Sequence, residues 1–414
     1  MVMMQKTRAN MLAALLALPI AGLTALTLSP DAFAQTAGGW RKEVADKVQA
    51  AQTAGQKGSF TEAIRLLKEA KAKAPLSPQE EQGVNELMIW AASSAQDHRL
   101  VIATVDERLA TGRVTGADLQ RKLRLKATTH YSLREYREAR AALDRLAASG
   151  ALGTDDLILL ANCQMQLRDF RGAAPTLEKA VAAAEKARKP VAVTSKLLLA
   201  LHEAYQQTGN EAMRMQTLHR LMVSAPSKDS FKWIASAYSD KSNRDPVVMI
   251  NIYRLGAARG LLSNEHYSKY AEAALDLSSP GEAVAMLEKG MASGAIKKDD
   301  RNNRLLADAK SQVDRVKATL AQQEAEAKAI QTGEPEAKVA TAYFTLKNYG
   351  KAAEAARRGV DKGKLRRPED VHMLLGISLV ETKRAAEARN EFKKAAAAND
   401  KIKGVADLWA SMAG

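Results

Sequence analysis

Arg134-Glu135-Tyr136-Arg137-Glu138-Ala139 returns 34 residues later as Arg168-Asp169-Phe170-Arg171-Gly172-Ala173. In both copies a polar turn ends on an aromatic residue, and a small residue follows three positions on. Apolar residues then recur four and seven positions beyond it: Leu143 and Leu146 in one copy, Leu177 and Ala180 in the other. That spacing draws one apolar stripe along a helix. A second stripe precedes the turn, as in Leu157, Leu160, Ala161 and Gln164. Two helices joined by a short turn cannot bury both stripes alone, so such units must stack on one another.

The same order of residues recurs elsewhere. Lys57-Gly58-Ser59-Phe60-Thr61-Glu62-Ala63-Ile64 is followed by Leu67, Ala70 and Pro75. Lys347-Asn348-Tyr349-Gly350-Lys351-Ala352 is followed by Ala356 and Gly359, and Lys383-Arg384-Ala385-Ala386-Glu387-Ala388 by Phe392 and Ala395. The small residue thus falls at Ala63, Ala139, Ala173, Ala283, Ala352 and Ala388. The 76 residues from Ala63 to Ala139 and the 69 from Ala283 to Ala352 each leave room for one more unit, and Ala173 to Ala283 for two. This grammar resembles the tetratricopeptide repeat, a 34-residue helix–turn–helix pattern with small residues at fixed positions and a closing proline. The resemblance implies an all-α chain, a right-handed α-solenoid of about nine or ten units across residues 44–400. Residues 35–299 would be an N-terminal array. Residues 300–335 would be a degenerate repeat or a long connecting helix, and residues 336–414 a C-terminal pair with a capping helix. The cap is read from Val405, Leu408, Trp409 and Met412. The pattern's early tryptophan is mostly Leu, Lys or His here, and His202 stands where a small residue belongs.

In tetratricopeptide repeats the first helix of each unit lines a concave face that holds partner proteins. Carried over residue by residue, the groove positions are Trp90, Arg121, Arg124, Thr128, Tyr131, Asp155, Asn162, Gln166, Glu203, Gln206, Gln207, Thr341 and Phe344. Arg124, Tyr131, Asn162 and Gln166 form the most binding-like set, because Arg and Tyr dominate interface energetics and Asn can bond an extended backbone. Ordinary solvated groove residues are the plainer reading of the same positions. The Lys and Asn of the carboxylate-clamp subset are not matched, since those positions hold Arg124 and Thr128 in one unit and Ile158 and Asn162 in the next.

The N-terminus has the three parts of a secretory signal: Lys6 and Arg8, an uncharged apolar run from Met11 to Leu28, and Ala32-Phe33-Ala34 before Gln35. Cleavage between Ala34 and Gln35 would release a periplasmic or secreted chain with no integral membrane segment. A retained anchor is the alternative, as the run is about long enough to span a bilayer. Lys and Arg number 62 against 47 Asp and Glu, a net charge of +15. That surplus favours acidic partners or simply solubility.

The residues supply no motif for catalysis. There is no nucleophile elbow, no phosphate-cradling glycine loop and no His-Glu-x-x-His helix. One cysteine, Cys163, set among Leu159, Leu160, Ala161 and Met165, reads as a buried inert thiol. The expectation is therefore a non-enzymatic scaffold of the bacterial cell envelope, with no cofactor and no metal, that binds other envelope proteins. The alternative is an accessory factor in envelope polymer (polysaccharide) assembly or secretion that binds acidic ligands through its basic surface, and nucleic acid is not expected for an exported chain. Residues 336–400 also resemble, in overall style, periplasmic proteins of this type that accompany TonB-type energy-transducing systems.

Overall fold

The computed structural model describes residues 39–73 and 75–413. The leader expected over residues 1–34, with its cleavage point, lies outside the described residues. Every regular element among the described residues is an α-helix. In chain order they are α1 Lys42–Gln56, α2 Phe60–Lys71, α3 Pro78–Ser94, α4 His98–Ala110, α5 Gly116–Ser132, α6 Tyr136–Ala148, α7 Thr154–Gln166, α8 Phe170–Lys186, α9 Val191–Thr208 and α10 Glu211–Ser224. They continue as α11 Lys228–Lys241, α12 Pro246–Ala258, α13 Asn264–Asp276, α14 Pro280–Ala292, α15 Asp300–Ala329, α16 Glu334–Thr345, α17 Tyr349–Lys362, α18 Pro368–Glu381, α19 Ala385–Ala398 and α20 Asp400–Met412. Nine of the expected units are present as helix pairs, with α15 and α20 standing outside the pairing. This is the stacked-pair architecture of an α-solenoid.

One turn geometry closes nearly every pair. Gly58, Gln96, Arg134, Arg168, Gly209, Ser278, Lys347 and Lys383 hold φ between 53° and 78°. The residue after each sends its N–H back to a carbonyl five residues earlier, as in Glu135 to His130 at 2.9 Å and Asp169 to Gln164 at 2.8 Å. This is the closure by which a left-handed residue satisfies the orphan carbonyls of a helix end. A side chain at such a φ costs about 1 kcal/mol relative to glycine.

The small residue of each unit is where the two helices touch. Ala63, Ala139, Ala173, Ala283, Ala352 and Ala388 are all 0 % exposed. The stripe residues Leu67, Leu143, Leu146 and Leu177 are likewise fully buried, each stabilising by about 2 kcal/mol. A second link runs from pair to pair between successive second helices. An arginine on one second helix reaches an acid at the start of the next second helix: Arg99 to Glu135 at 2.5 Å, Arg140 to Asp169 at 2.8 Å, Arg254 to Glu282 at 2.7 Å and Arg357 to Glu387 at 2.9 Å.

The chain divides into two compact units, one ending at Arg214 and the other beginning at Met215. Unit 1 packs its pairs through Val44, Leu67, Val84 and Leu87 at one end and Leu123, Leu143, Leu159 and Cys163 further on. It also buries an ion pair between Lys122 on α5 and Glu86 on α3. Burial pushes the Cys163 thiol up to about 12, which keeps it protonated and inert.

Unit 2 has one continuous core, reaching from Met215 to Ala413. Helices α14 and α16 touch where the Gly281 N–H donates to Thr345 Oγ1 at 2.7 Å, and α15 packs against both of them. Helix α15 is a single 30-residue helix. It buries only Ala309, Leu320 and Ala327 fully and is held by Lys310 to Glu288, by Arg358 to Glu324 and by Lys362 Nζ to the Ala327 carbonyl. Helix α20 covers the last pair through Trp409, whose ring stacks on Phe392 at 5.4 Å. It also reaches back onto α12, so it closes unit 2 on itself as well as covering an end.

Candidate functional site

The sequence-derived groove residues of unit 1 lie mostly inside the packing between pairs. Trp90 is half-buried, edge-on to Phe60 at 5.8 Å, and its ring fills the space a Cβ on Gly55 would need. Arg121 is exposed and paired with Asp118 at 2.5 Å. Arg124 donates to Asp156 at 2.9 Å and to the Ala151 carbonyl at 2.6 Å, stapling α5 to the segment that opens the next pair. Thr128 spends its hydroxyl on the Arg124 and Leu125 carbonyls. Tyr131 meets Tyr136 edge-on at 5.4 Å, and burial pushes its phenol up to about 12. Asn162 is 4 % exposed, and its Oδ1 has no hydrogen-bond partner among the described residues. Gln166 is half-buried at the end of α7. Helices α5 and α7 therefore carry Arg124, Thr128, Tyr131, Asn162 and Gln166, of which Arg124 and Thr128 are already committed to other groups of the chain. Phe344 belongs to unit 2 and is 3 % exposed, its ring covered by the Arg254 guanidinium at 4.7 Å.

An open cleft of about 400 Å³ lies within unit 2, between α12, α16 and α18. Its floor is apolar, from Val247, Ile250, Ala337, Ala340, Val371 and Leu374. Thr341, one of the groove positions carried over from the sequence, lines its wall. The residues from α12 were not expected there, because second helices of such repeats lie away from the groove. The signal was available, however. Val247, Val248, Met249, Ile250, Ile252, Tyr253 and Leu255 make α12 apolar on every side, and such a helix must be covered on every side.

The polar groups divide into a fixed set and an open set. Arg254 is held by Glu282 through Nε at 3.0 Å and Nη2 at 2.7 Å, and Glu282 also accepts from Tyr270 and Ser279 at 2.6 Å each. Desolvation would raise the Glu282 pKa, but Arg254 and these donors outweigh it and hold the carboxyl below its ordinary value. This buried pair shapes the floor and has no charge left to offer. At the rim, Arg367 pairs with Asp370 at 2.9 Å, and burial pushes the Asp370 carboxyl up to about 6 against that pull. Glu334 accepts the Arg366 backbone N–H at 3.1 Å. The side chains of Lys338 and Arg366 are exposed and make no ion pair among the described residues. An apolar floor with hydroxyl and amide groups on its wall and two uncommitted cations at its mouth suits an extended polypeptide with an apolar anchor and an acidic neighbour. Among the described residues no cluster of His, Cys, Asp and Glu could hold a metal ion, and no helix is long and apolar enough to cross a membrane.

Comparison with known proteins agrees with the helix pairs. The family model for the tetratricopeptide repeat matches residues 124–187 and 339–401. No curated protein matches the chain in sequence. Solved structures of low identity do match. A tetratricopeptide repeat protein from Parabacteroides merdae is 13% identical, covering 89% of this chain and 99% of its own, with a TM-score of 0.34. Yeast Tom70 is 12% identical, covering 89% and 96%, with a TM-score of 0.25. The TPR2AB domain of yeast Sti1, solved in a pHSP90 complex, is 13% identical, covering 72% and 100%, with a TM-score of 0.25. Such repeats generally mediate protein–protein interaction. The family match thus falls on α5–α8 and α16–α19, and the chain is similar to the tetratricopeptide repeat over residues 124–187 and 339–401.

Proposed function

We propose that this chain is a non-enzymatic scaffold of the bacterial cell envelope, which holds a segment of a partner protein in the unit 2 cleft. The observation that carries the reading is the cleft itself, apolar at its floor and bearing the uncommitted Lys338 and Arg366 at its mouth. Export is supported by Lys6, Arg8, the apolar run to Leu28 and Ala32-Phe33-Ala34. A partner in a TonB-type energy-transducing system is one envelope protein that would fit this setting.

A photo-crosslinking residue at Thr341, activated in intact cells, tests the reading. The expected result is one polypeptide trapped with the chain, lost when Lys338→Glu and Arg366→Glu are combined. No trapped polypeptide, or capture unchanged by the charge reversal, defeats it. The N-terminal sequence of the recovered chain checks export separately, and the expected first residue is Gln35.

A further inference from the structure

Unit 1 carries a row of arginines along the edge formed by its turns. Arg134 and Arg168 occupy the positive-φ position of successive turns, at 60° and 58°. Arg137 and Arg171 stand three residues further on, in the first turns of α6 and α8. All four are exposed, and none has an ion pair among the described residues. The acids of the same turns are mostly spent. Glu135 takes Arg99 at 2.5 Å and His130 at 2.7 Å, and Asp169 takes Arg140 at 2.8 Å and the Gly172 N–H at 2.9 Å. Glu138, exposed in the first turn of α6, is the acid of these turns that makes no ion pair among the described residues.

The backbone disfavours this placement. Gly58, Gln96, Gly209, Ser278, Lys347 and Lys383 fill the equivalent position of the other turns, so two successive arginines occur only here, and the arginine heads make no ion pair that would offset the strain. The repeat advances by 34 residues, so the cations come in matched pairs at successive steps along one edge. Among the described residues the exposed large hydrophobic side chains are Val191, Val223 and Ile330, none of them at these turns. The edge therefore lacks the apolar anchors of a protein interface or of an inserted membrane face. What it offers is charge in a fork geometry at regular intervals, which matches a hydrated chain bearing carboxylates at regular intervals.

We propose that this edge binds a linear acidic polysaccharide through guanidinium–carboxylate contacts from Arg134, Arg137, Arg168 and Arg171. The site is separate from the unit 2 cleft and does not depend on it.

The test titrates polygalacturonate into the full chain and into the full-chain variant Arg134→Gly, Arg137→Ala, Arg168→Gly and Arg171→Ala, at low and at physiological salt. The wild type binds with an affinity that falls as salt rises, and the variant loses at least about tenfold. The variant's melting midpoint is no lower than that of the wild type, because glycine suits both turn positions, so lost binding cannot be laid to lost folding. Lys338→Glu with Arg366→Glu leaves polygalacturonate binding intact, which separates this site from the cleft. Undiminished binding by the four-site variant overturns the proposal. So does equal or tighter binding of poly-glutamate, single-stranded DNA or phosphatidylglycerol vesicles by the wild type.

Discussion

The indole N–H of Trp409 donates to the backbone carbonyl of Asn251 at 2.9 Å, across 158 residues of chain. The bond joins the last helix of unit 2 to the helix that floors its cleft. Asn251 is engaged on its side chain too, donating to the Val247 carbonyl at 2.9 Å and accepting from Arg254 at 3.3 Å. The terminal helix and the cleft floor therefore share one residue.

Removing that tie should cost unit 2 much of its stability. Trp409 is 1 % exposed, so Trp409→Ala is expected to destabilise by about 3–5 kcal/mol. Trp409→Phe keeps the stacking on Phe392 and loses the hydrogen bond, for a smaller loss of about 1–3 kcal/mol with the Asn251 carbonyl left buried. Urea unfolding of the three proteins checks the order. Equal midpoints for Trp409→Ala and wild type would show that α20 is not part of the core.

Two glycines at the same step of their helices should respond in opposite directions. A Cβ on Gly281 would lie 1.9 Å from the Thr345 carbonyl oxygen, a backbone atom that cannot swing aside. Gly281→Ala is expected to lower stability by about 1–3 kcal/mol as α14 and α16 are forced apart. Nothing lies within 4 Å of a Cβ on Gly350. Gly350→Ala should raise stability by about 0.5–1 kcal/mol through the entropy of the unfolded chain. Thermal melts of both variants decide the matter.

Acid should weaken unit 1 through His202. Desolvation, aided by Arg214, pushes this imidazole down to about 4, against about 6.5 in the unfolded chain. As pH falls below about 6.5 the unfolded chain takes the proton first. The contribution is therefore complete above pH 6.5 and is lost on the way down to pH 4. Its size is on the order of 3 kcal/mol. His202→Phe removes the titrating group, so the difference in unfolding free energy between variant and wild type should shift by that amount between pH 7 and pH 4. A pH-independent difference would refute the assignment.

Much of this fold could be read from residue order. The spacing from Ala139 to Leu143 and Leu146, repeated from Ala173, names the buried face of each second helix, and these side chains are all fully buried. Thr341 was likewise placed on a groove wall by its position in the repeat. Lys122 could not have been read as buried, because a lysine on a helix is ordinarily solvated, and its burial is made tolerable by Glu86 from another pair together with Asp118 on its own helix. Arg124 was legible as a groove residue, yet its commitment to Asp156 and the Ala151 carbonyl depends on where the next pair sits.

Residue order by itself determined the helices, their turns and their pairing, because each rests on contacts within about one repeat of chain. Tertiary structure alone decided which side chains stay open to a partner. The return of α20 onto α12, the contact of Gly281 with Thr345 and the cleft with Lys338 and Arg366 at its mouth all arise from contacts between segments far apart in sequence. A local pattern records which faces must be covered, but not which distant segment covers them.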